Sequence, residues 1–451
     1  MKKQGNSLTN TFLRTDWLWL AGSFMYFLMS PAWAQIPSDT DLKRCGTSDY
    51  EKMVLQVRNP NRLQQINELN RRIQEAESNG SSLRQAADET VYRIPIVVHV
   101  VHSNASGQIG GANNPNISDE QIASQIQVLN EDYRRKEGTN GFNSSTIGAD
   151  AKIEFFLATT DPNGQPTTGI TRHYYAQKSS FDIFSDDVLL SQIAYWPSDR
   201  YLNIWVTTLQ NNYLGYTQFP TAADTIKGLP GDSNEFVDGS MIDYRYFGRK
   251  IGTVTSSTYS LGRTATHEIG HWLGLIHTWG DGDGCAEDYV ADTPPTKSPN
   301  QTTQCRTTYS TCVNGKQTRD LTEDYMDYSP DACMNLFTKG QVDRMRAVLQ
   351  FSPRRVKLLR SVAALPETET LTINLYPNPA AADPTVDVQL KGFQSFSVEL
   401  FDMSGRQLRA LNYADAPSTR VTIPIGGLST GLYVLRVKTG NETSSKRLLI
   451  Q

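Results

Sequence analysis

The chain has 451 residues, 38% of them hydrophobic, which is enough for two or three domains with at least one substantial core. Its 43 Lys and Arg stand against 47 Asp and Glu, a formal net charge of -4. Neither sign gathers into a long block that could track phosphates, so no nucleic-acid partner is expected.

Residues 1–34 read as an export signal: Lys2, Lys3 and Arg14 precede a mostly apolar Trp17 to Met29, and Ala32-Trp33-Ala34 offers small residues for cleavage. The apolar stretch is too short for a comfortable membrane span, and no later segment is long and apolar enough. Residues 35–90 are rich in Arg, Gln and Glu, with Leu55, Leu63, Ile66 and Leu69 at helical spacing, and read as a helical prosegment with little core of its own.

A main domain is expected over 91–360. It opens on the β-branched run Ile94-Pro95-Ile96-Val97-Val98-His99-Val100-Val101, a buried strand. Ser118 with Gln121 is a capping-box pattern, and Ile122, Ile126, Leu129 and Tyr133 keep one helical face apolar. Further strands are expected at 152–158, 201–207 and 213–219. Thr338 with Gln341 opens a helix through Leu349 that would close the domain. After a linker at 361–372, residues 373–451 alternate in short stretches separated by Gly, Asp, Asn and Ser turns, the pattern of a small antiparallel β-sandwich.

The chemistry concentrates at His267-Glu268-Ile269-Gly270-His271. Two histidines at i and i+4 share one helical face and can reach one ion, and Glu268 stands close enough to move a proton without being a ligand. Gly274 can turn the chain in a left-handed conformation so that His277 supplies a third nitrogen. Three protein ligands leave a fourth position open, as in catalytic rather than structural zinc sites. His99, His102 and His173 have no comparable support and read as ordinary strand or loop histidines. Four of the five cysteines fall between 285 and 333, and in an exported chain they suggest two bridges, with three pairings open. Asp281, Asp283, Asp288 and Asp292 form an acidic loop of a composition suited to calcium.

His267, Glu268, His271, Gly274 and His277 match without departure the extended zinc motif of the metzincin metalloproteases. Glu323-Asp324-Tyr325-Met326-Asp327-Tyr328 resembles the methionine turn of the pappalysin family in particular. Gly262-Arg263-Thr264, Asp292-Thr293-Pro294-Pro295 and Asp331-Ala332-Cys333-Met334 are also similar to that family. The resemblance implies an α/β (α+β) catalytic domain with a mixed sheet and an active-site helix, preceded by the helical prosegment and followed by the all-β sandwich. It implies a secreted zinc endopeptidase acting on proteins or peptides, with Glu268 as general base, Tyr328 steadying the oxyanion and Met326 as an apolar floor. It further implies bridges Cys285–Cys312 and Cys305–Cys333, calcium at Asp288, Asp292 and Thr293, and zymogen latency through Cys45, in Arg44-Cys45-Gly46-Thr47, as a zinc ligand. Arg71, Arg72, Arg84 and Arg93 are possible activation cuts. The alternative is a surface-displayed binding protein that keeps the fold without turnover.

Leu375-Tyr376-Pro377-Asn378-Pro379, Asp402-Met403-Ser404-Gly405-Arg406, Gly431-Leu432-Tyr433 and Lys446-Arg447-Leu448-Leu449 resemble the sorting domain of the type IX secretion system. That resemblance implies export through the periplasm and outer membrane of a Bacteroidetes-type bacterium, to the medium or the cell surface. It also suggests a final strand left unpaired for the secretion machinery.

Overall fold

The computed structural model describes residues 41–78, 90–222, 235–282, 284–363, 371–390, 394–416, 419–440 and 442–451. The proposed export signal, Arg84 and Asp283 lie outside them. In chain order the main elements are α1 (Arg62–Ser78), β1 (Tyr92–His102), α2 (Asp119–Tyr133), β2 (Ile153–Leu157), β3 (Ile170–Tyr174), α3 (Asp187–Ile193), β4 (Leu202–Thr207), β5 (Gly215–Thr217) and β6 (Gly239–Asp243). They continue with α4 (Arg263–Trp272), β7 (Tyr309–Val313), β8 (Lys316–Arg319), α5 (Lys339–Phe351), α6 (Pro353–Ala363) and β9 (Leu371–Tyr376). The last six are β10 (Thr385–Leu390), β11 (Gln394–Asp402), β12 (Gln407–Ala416), β13 (Thr419–Thr422), β14 (Gly431–Thr439) and β15 (Thr443–Ile450).

The catalytic domain is built on a mixed sheet of order β2-β1-β4-β6-β5, with β3 also pairing β1. Strand β1 is long enough to hold β2 and β3 in succession along one edge and β4 along the other, all parallel. Both its faces are covered, which is why it reads as a continuous apolar run. Ile94, Ile96, Val98 and Val100 pack with Ile122, Ile126 and Leu129 of α2 and with Ala265, Ile269 and Trp272 of α4. On the other face Val101, Trp205 and Met241 meet Phe181, Ile183 and Leu190. Edge strand β5 runs antiparallel to β6.

Thr338 and Gln341 form the full capping box of α5. Ser118 caps α2, but the Gln121 side chain is diverted to Tyr244 O, Phe247 O and Thr253 Oγ1, tying the helix to a loop instead of closing the box. The domain does not close with α5. After Ser352 turns to extended backbone, α6 follows, and Arg354 and Arg355 grip buried Asp238 at 2.9 and 2.7 Å. Thus α6 occupies the first three residues of the proposed linker, and β9 begins two residues before the proposed sandwich.

The prosegment is docked on the domain. Its residues 47–58 are helical and bury Tyr50, Val54 and Leu55 against the second sheet face. Helix α1 packs Leu69 and Ile73 on Val348 of α5, while Leu63, on the expected apolar face, is exposed. Residues 371–451 form two antiparallel sheets, β13-β10-β9 and β12-β11-β14-β15, around one core. The final strand is not left unpaired: β15 pairs β14 from Thr443 to Ile450, and Ala380 bridges Ile450. No helix among the described residues is long and apolar enough to cross a membrane.

Candidate metal centre and its surroundings

Helix α4 starts at Gly262, whose φ of 81° is left-handed, and Asp331 Oδ2 accepts from Leu261 N at 2.8 Å and Arg263 N at 3.3 Å to cap its first turn. Arg263 is fully buried against Asp132, 3.0 Å away, which fixes the helix to α2. At the other end Gly274 has φ 88°, and a Cβ there would sit 2.6 Å from Val348 Cγ2. The reversal brings His277 back over the helix. Nε2 atoms of His267, His271 and His277 are 3.1–3.2 Å apart. Tetrahedral nitrogens about 2.0–2.1 Å from one zinc would be spaced only slightly wider.

The rings are aimed from behind. His267 Nδ1 hydrogen-bonds Tyr325 O at 2.6 Å, His271 Nδ1 bonds Leu275 O at 2.8 Å, and His277 Nδ1 contacts Asp281 Oδ1. Asp281, which composition places in a calcium-type loop, therefore orients a histidine. Burial lifts the Asp281 carboxyl, but His277 outweighs this and holds it well below the usual range. The sulfur of Met326 lies beneath the helix: a Cβ on Gly270 would be 2.5 Å from it.

Cys45 closes the fourth side, its Sγ and the three histidine nitrogens all lying within 4.8 Å of one another. Four soft or borderline donors in this arrangement fit zinc. Burial, then the Glu268 charge, pushes the Cys45 thiol up, so a nearby cation is what would favour the thiolate. Gly46 lies close to the domain: a Cβ would meet Ile183 Cδ1 at 2.5 Å and the Tyr213 ring at 3.1 Å. Glu268 is fully buried, and burial raises its carboxyl to about 7 against the opposing pull of Thr47, Cys45 and Arg44. Its Oε2 accepts from Thr47 Oγ1 at 2.7 Å, whereas Oε1 has no partner. Tyr328 packs edge-on to His277, ring centroids 4.9 Å apart, and to Trp279 at 4.8 Å.

Along β5 the prosegment runs parallel to the chain from 213 onward: Lys43 bridges Tyr213, and Gly46 N donates to Gly215 O at 2.9 Å. Arg44, only 1% exposed, enters a pocket where Asp331 Oδ1 is 3.2 Å away, Thr264 Oγ1 2.8 Å, Met334 Sδ 3.6 Å and the Tyr259 ring centre 4.7 Å. Disulfides join Cys285 to Cys312 and Cys305 to Cys333. Of the calcium candidates, Thr293 Oγ1 bonds Asp288 Oδ2 at 2.5 Å. Asp292 instead accepts from Thr338 Oγ1 at 2.7 Å and Gly340 N at 2.8 Å at the head of α5.

Residues 185–350 match the family model described as pregnancy-associated plasma protein-A, and residues 374–451 match the secretion system C-terminal sorting domain. Extracellular metalloprotease 1 of Coccidioides posadasii is 32% identical over 278 residues, covering 61% of this chain and 84% of that protein. The chain belongs to the pregnancy-associated plasma protein-A, or pappalysin, family of metallopeptidases. Mature mirolysin of Tannerella forsythia in complex with a cleaved peptide is 40% identical, with a TM-score of 0.53, over 61% of this chain and 98% of that one. A Tannerella forsythia promirolysin mutant is 37% identical, with a TM-score of 0.57, over 71% and 98%. This pappalysin is a secreted zinc metalloendopeptidase with a type IX sorting domain.

Proposed function

We propose that His267, His271 and His277 hold the catalytic zinc and that Glu268 is the general base and acid of peptide-bond hydrolysis. The observation that carries this is the convergence of three histidine nitrogens beside a buried carboxylate with one free oxygen. Zinc bound there supplies Lewis acidity that polarises a carbonyl and acidifies a water. Glu268, lifted towards neutrality, takes the proton of the attacking water and returns it to the leaving amine. Tyr328, its phenol kept neutral by burial and by Cys45, Asp281 and Glu268, donates to the oxyanion. Met326 is the apolar floor.

In the zymogen Cys45 is the fourth zinc ligand. The activation cut falls before β1, since Arg93 is built into that strand beside Glu154. The Arg44 pocket supports acceptance of arginine next to the cleaved bond. Calcium is proposed at Asp288 and Thr293, whose side-chain oxygens meet in a buried loop; Asp292 would have to give up a bond at the head of α5 to join them. Its partners are protein or peptide substrates and the type IX secretion machinery, as the two domains imply.

The test is hydrolysis of casein by trimmed, zinc-loaded protein. Glu268→Ala should lose roughly 100-fold or more while still binding zinc. Hydrolysis that survives the substitution overturns the assignment.

A further inference from the structure

Beyond the metal centre the prosegment buries side chains at a second place, in the cluster on the far face of the sheet. Tyr50 is fully buried, its ring edge-on to Tyr216 with centroids 4.8 Å apart, and its hydroxyl donates to Asp187 Oδ2 at 2.7 Å. Arg58 closes on the same carboxylate, Nη2 lying 2.8 Å from Oδ1 while Nη1 meets Oδ2. Leu190, Ile183 and Tyr213 complete the apolar wall. Tyr216 OH is buried without a hydrogen-bond partner.

This contact lies across the edge strand β5 from the catalytic base, on the opposite sheet face. Tyr216 is the middle residue of β5; Gly215 before it faces Glu268, and Thr217 after it holds Thr47, which bonds Glu268. A Cβ on Gly215 would lie 2.9 Å from Glu268 Cγ, and Thr217 N donates to Thr47 Oγ1 at 3.0 Å. Because the prosegment runs from Tyr213 towards Thr217, Arg44 and Tyr50 lie on opposite sides of Cys45 along this edge.

We propose that in the trimmed enzyme Asp187 and Tyr216 form a substrate pocket for a basic side chain, on the flank of the metal site opposite the Arg44 pocket. Losing the prosegment strips Asp187 of Tyr50 and Arg58, the side-chain partners of its carboxylate among the described residues. A carboxylate recessed beside an aromatic face has lost its counter-charge, and an arginine restores both the bidentate pair and the ring contact. The phenol oxygen of Tyr216 can accept one further N–H. Acidic substrate residues are rejected there by like charge.

The inference rests on the peptidase reading above, and one experiment separates the two. Trimmed, zinc-loaded wild type, Asp187→Asn and Asp187→Glu are given the same proteome-derived peptide library, and the residues around each cut are read by mass spectrometry. Wild type should enrich Arg and Lys at one position remote from the bond, on the side away from the Arg44 pocket. For matched peptides with Arg or Gln at that position, kcat/KM should favour Arg about tenfold. Asp187→Asn should bring that ratio near one, and Asp187→Glu should keep most of it. No second basic position in wild type, enrichment of tyrosine in its place, or an unchanged ratio in Asp187→Asn overturns the pocket. If Asp187→Asn does not fold, the wild-type profile alone decides. Absence of any cutting by wild type overturns the peptidase reading itself.

Discussion

Thr47 Oγ1 stands 2.7 Å from Glu268 Oε2 while accepting a hydrogen bond from Thr217 N at 3.0 Å. The prosegment thus engages the catalytic base as well as the metal side, through a residue two positions past Cys45. Latency should have two parts. Untrimmed Cys45→Ala should be leaky but still restrained, and adding Thr47→Val should raise its initial peptidase rate by roughly 10-fold or more, the worth of one hydrogen bond to a charged group. The rate must be read on protein shown intact by mass, and equal rates for the single and double variants would rule out the second part.

Asp281 holds His277 from behind, so Asp281→Asn should weaken zinc binding by about 10–100-fold without removing a ligand. Competition against a chromophoric chelator reads this directly. Retained affinity would mean the ring is positioned by packing against Trp279 instead.

Gly270→Ala is a substitution that ordinarily favours a helix by about 1 kcal/mol. Here the new methyl meets Met326 Sδ at 2.5 Å. A net loss of about 1–3 kcal/mol is expected, as for overpacked cores. Denaturant unfolding checks the sign.

Asp238 ties α6 to the end of α4. Arg354 and Arg355 grip it, Trp272 Nε1 donates to it at 3.0 Å, and the Arg355 guanidinium lies 3.6 Å from the Trp272 ring centre. Burial alone would raise its carboxyl, but the two arginines hold it at about 2. A carboxyl depressed in the folded state contributes stability that is present above about pH 4 and lost as pH falls towards 2. The contribution is about 2 kcal/mol. Asp238→Asn should cost about 3–5 kcal/mol at neutral pH, because it leaves buried arginines without their partner, and should flatten the stability profile between pH 4 and 2.

The metal motif was legible because its information is local: spacing on one helix and one glycine suffice to place His267, His271 and His277. Strand β1 and helix α2 were legible for the same reason. Thr47, Asp187, Asp281 and Asp331 were not assigned their parts, since each acts through a contact that forms only when the chain is folded, and Thr47 meets Glu268 across 221 residues. Helix α6 was missed because part of its buried face is charged, Arg354 and Arg355 sitting where apolar residues would have shown the period. Strand β6 is buried throughout and too short to alternate clearly, and β3 is half-buried and polar.

Strand β5 offers three residues at the border of the sheet, and in the latent chain the prosegment is laid along them. A substrate that used the backbone groups now taken by Lys43 and Gly46 would run stretched out there, at about 3.3 Å per residue. For a substrate bound extended along this edge, the cutting rate on a compact protein should follow how often a loop straightens, and the fragments left should map the target's least stable segments.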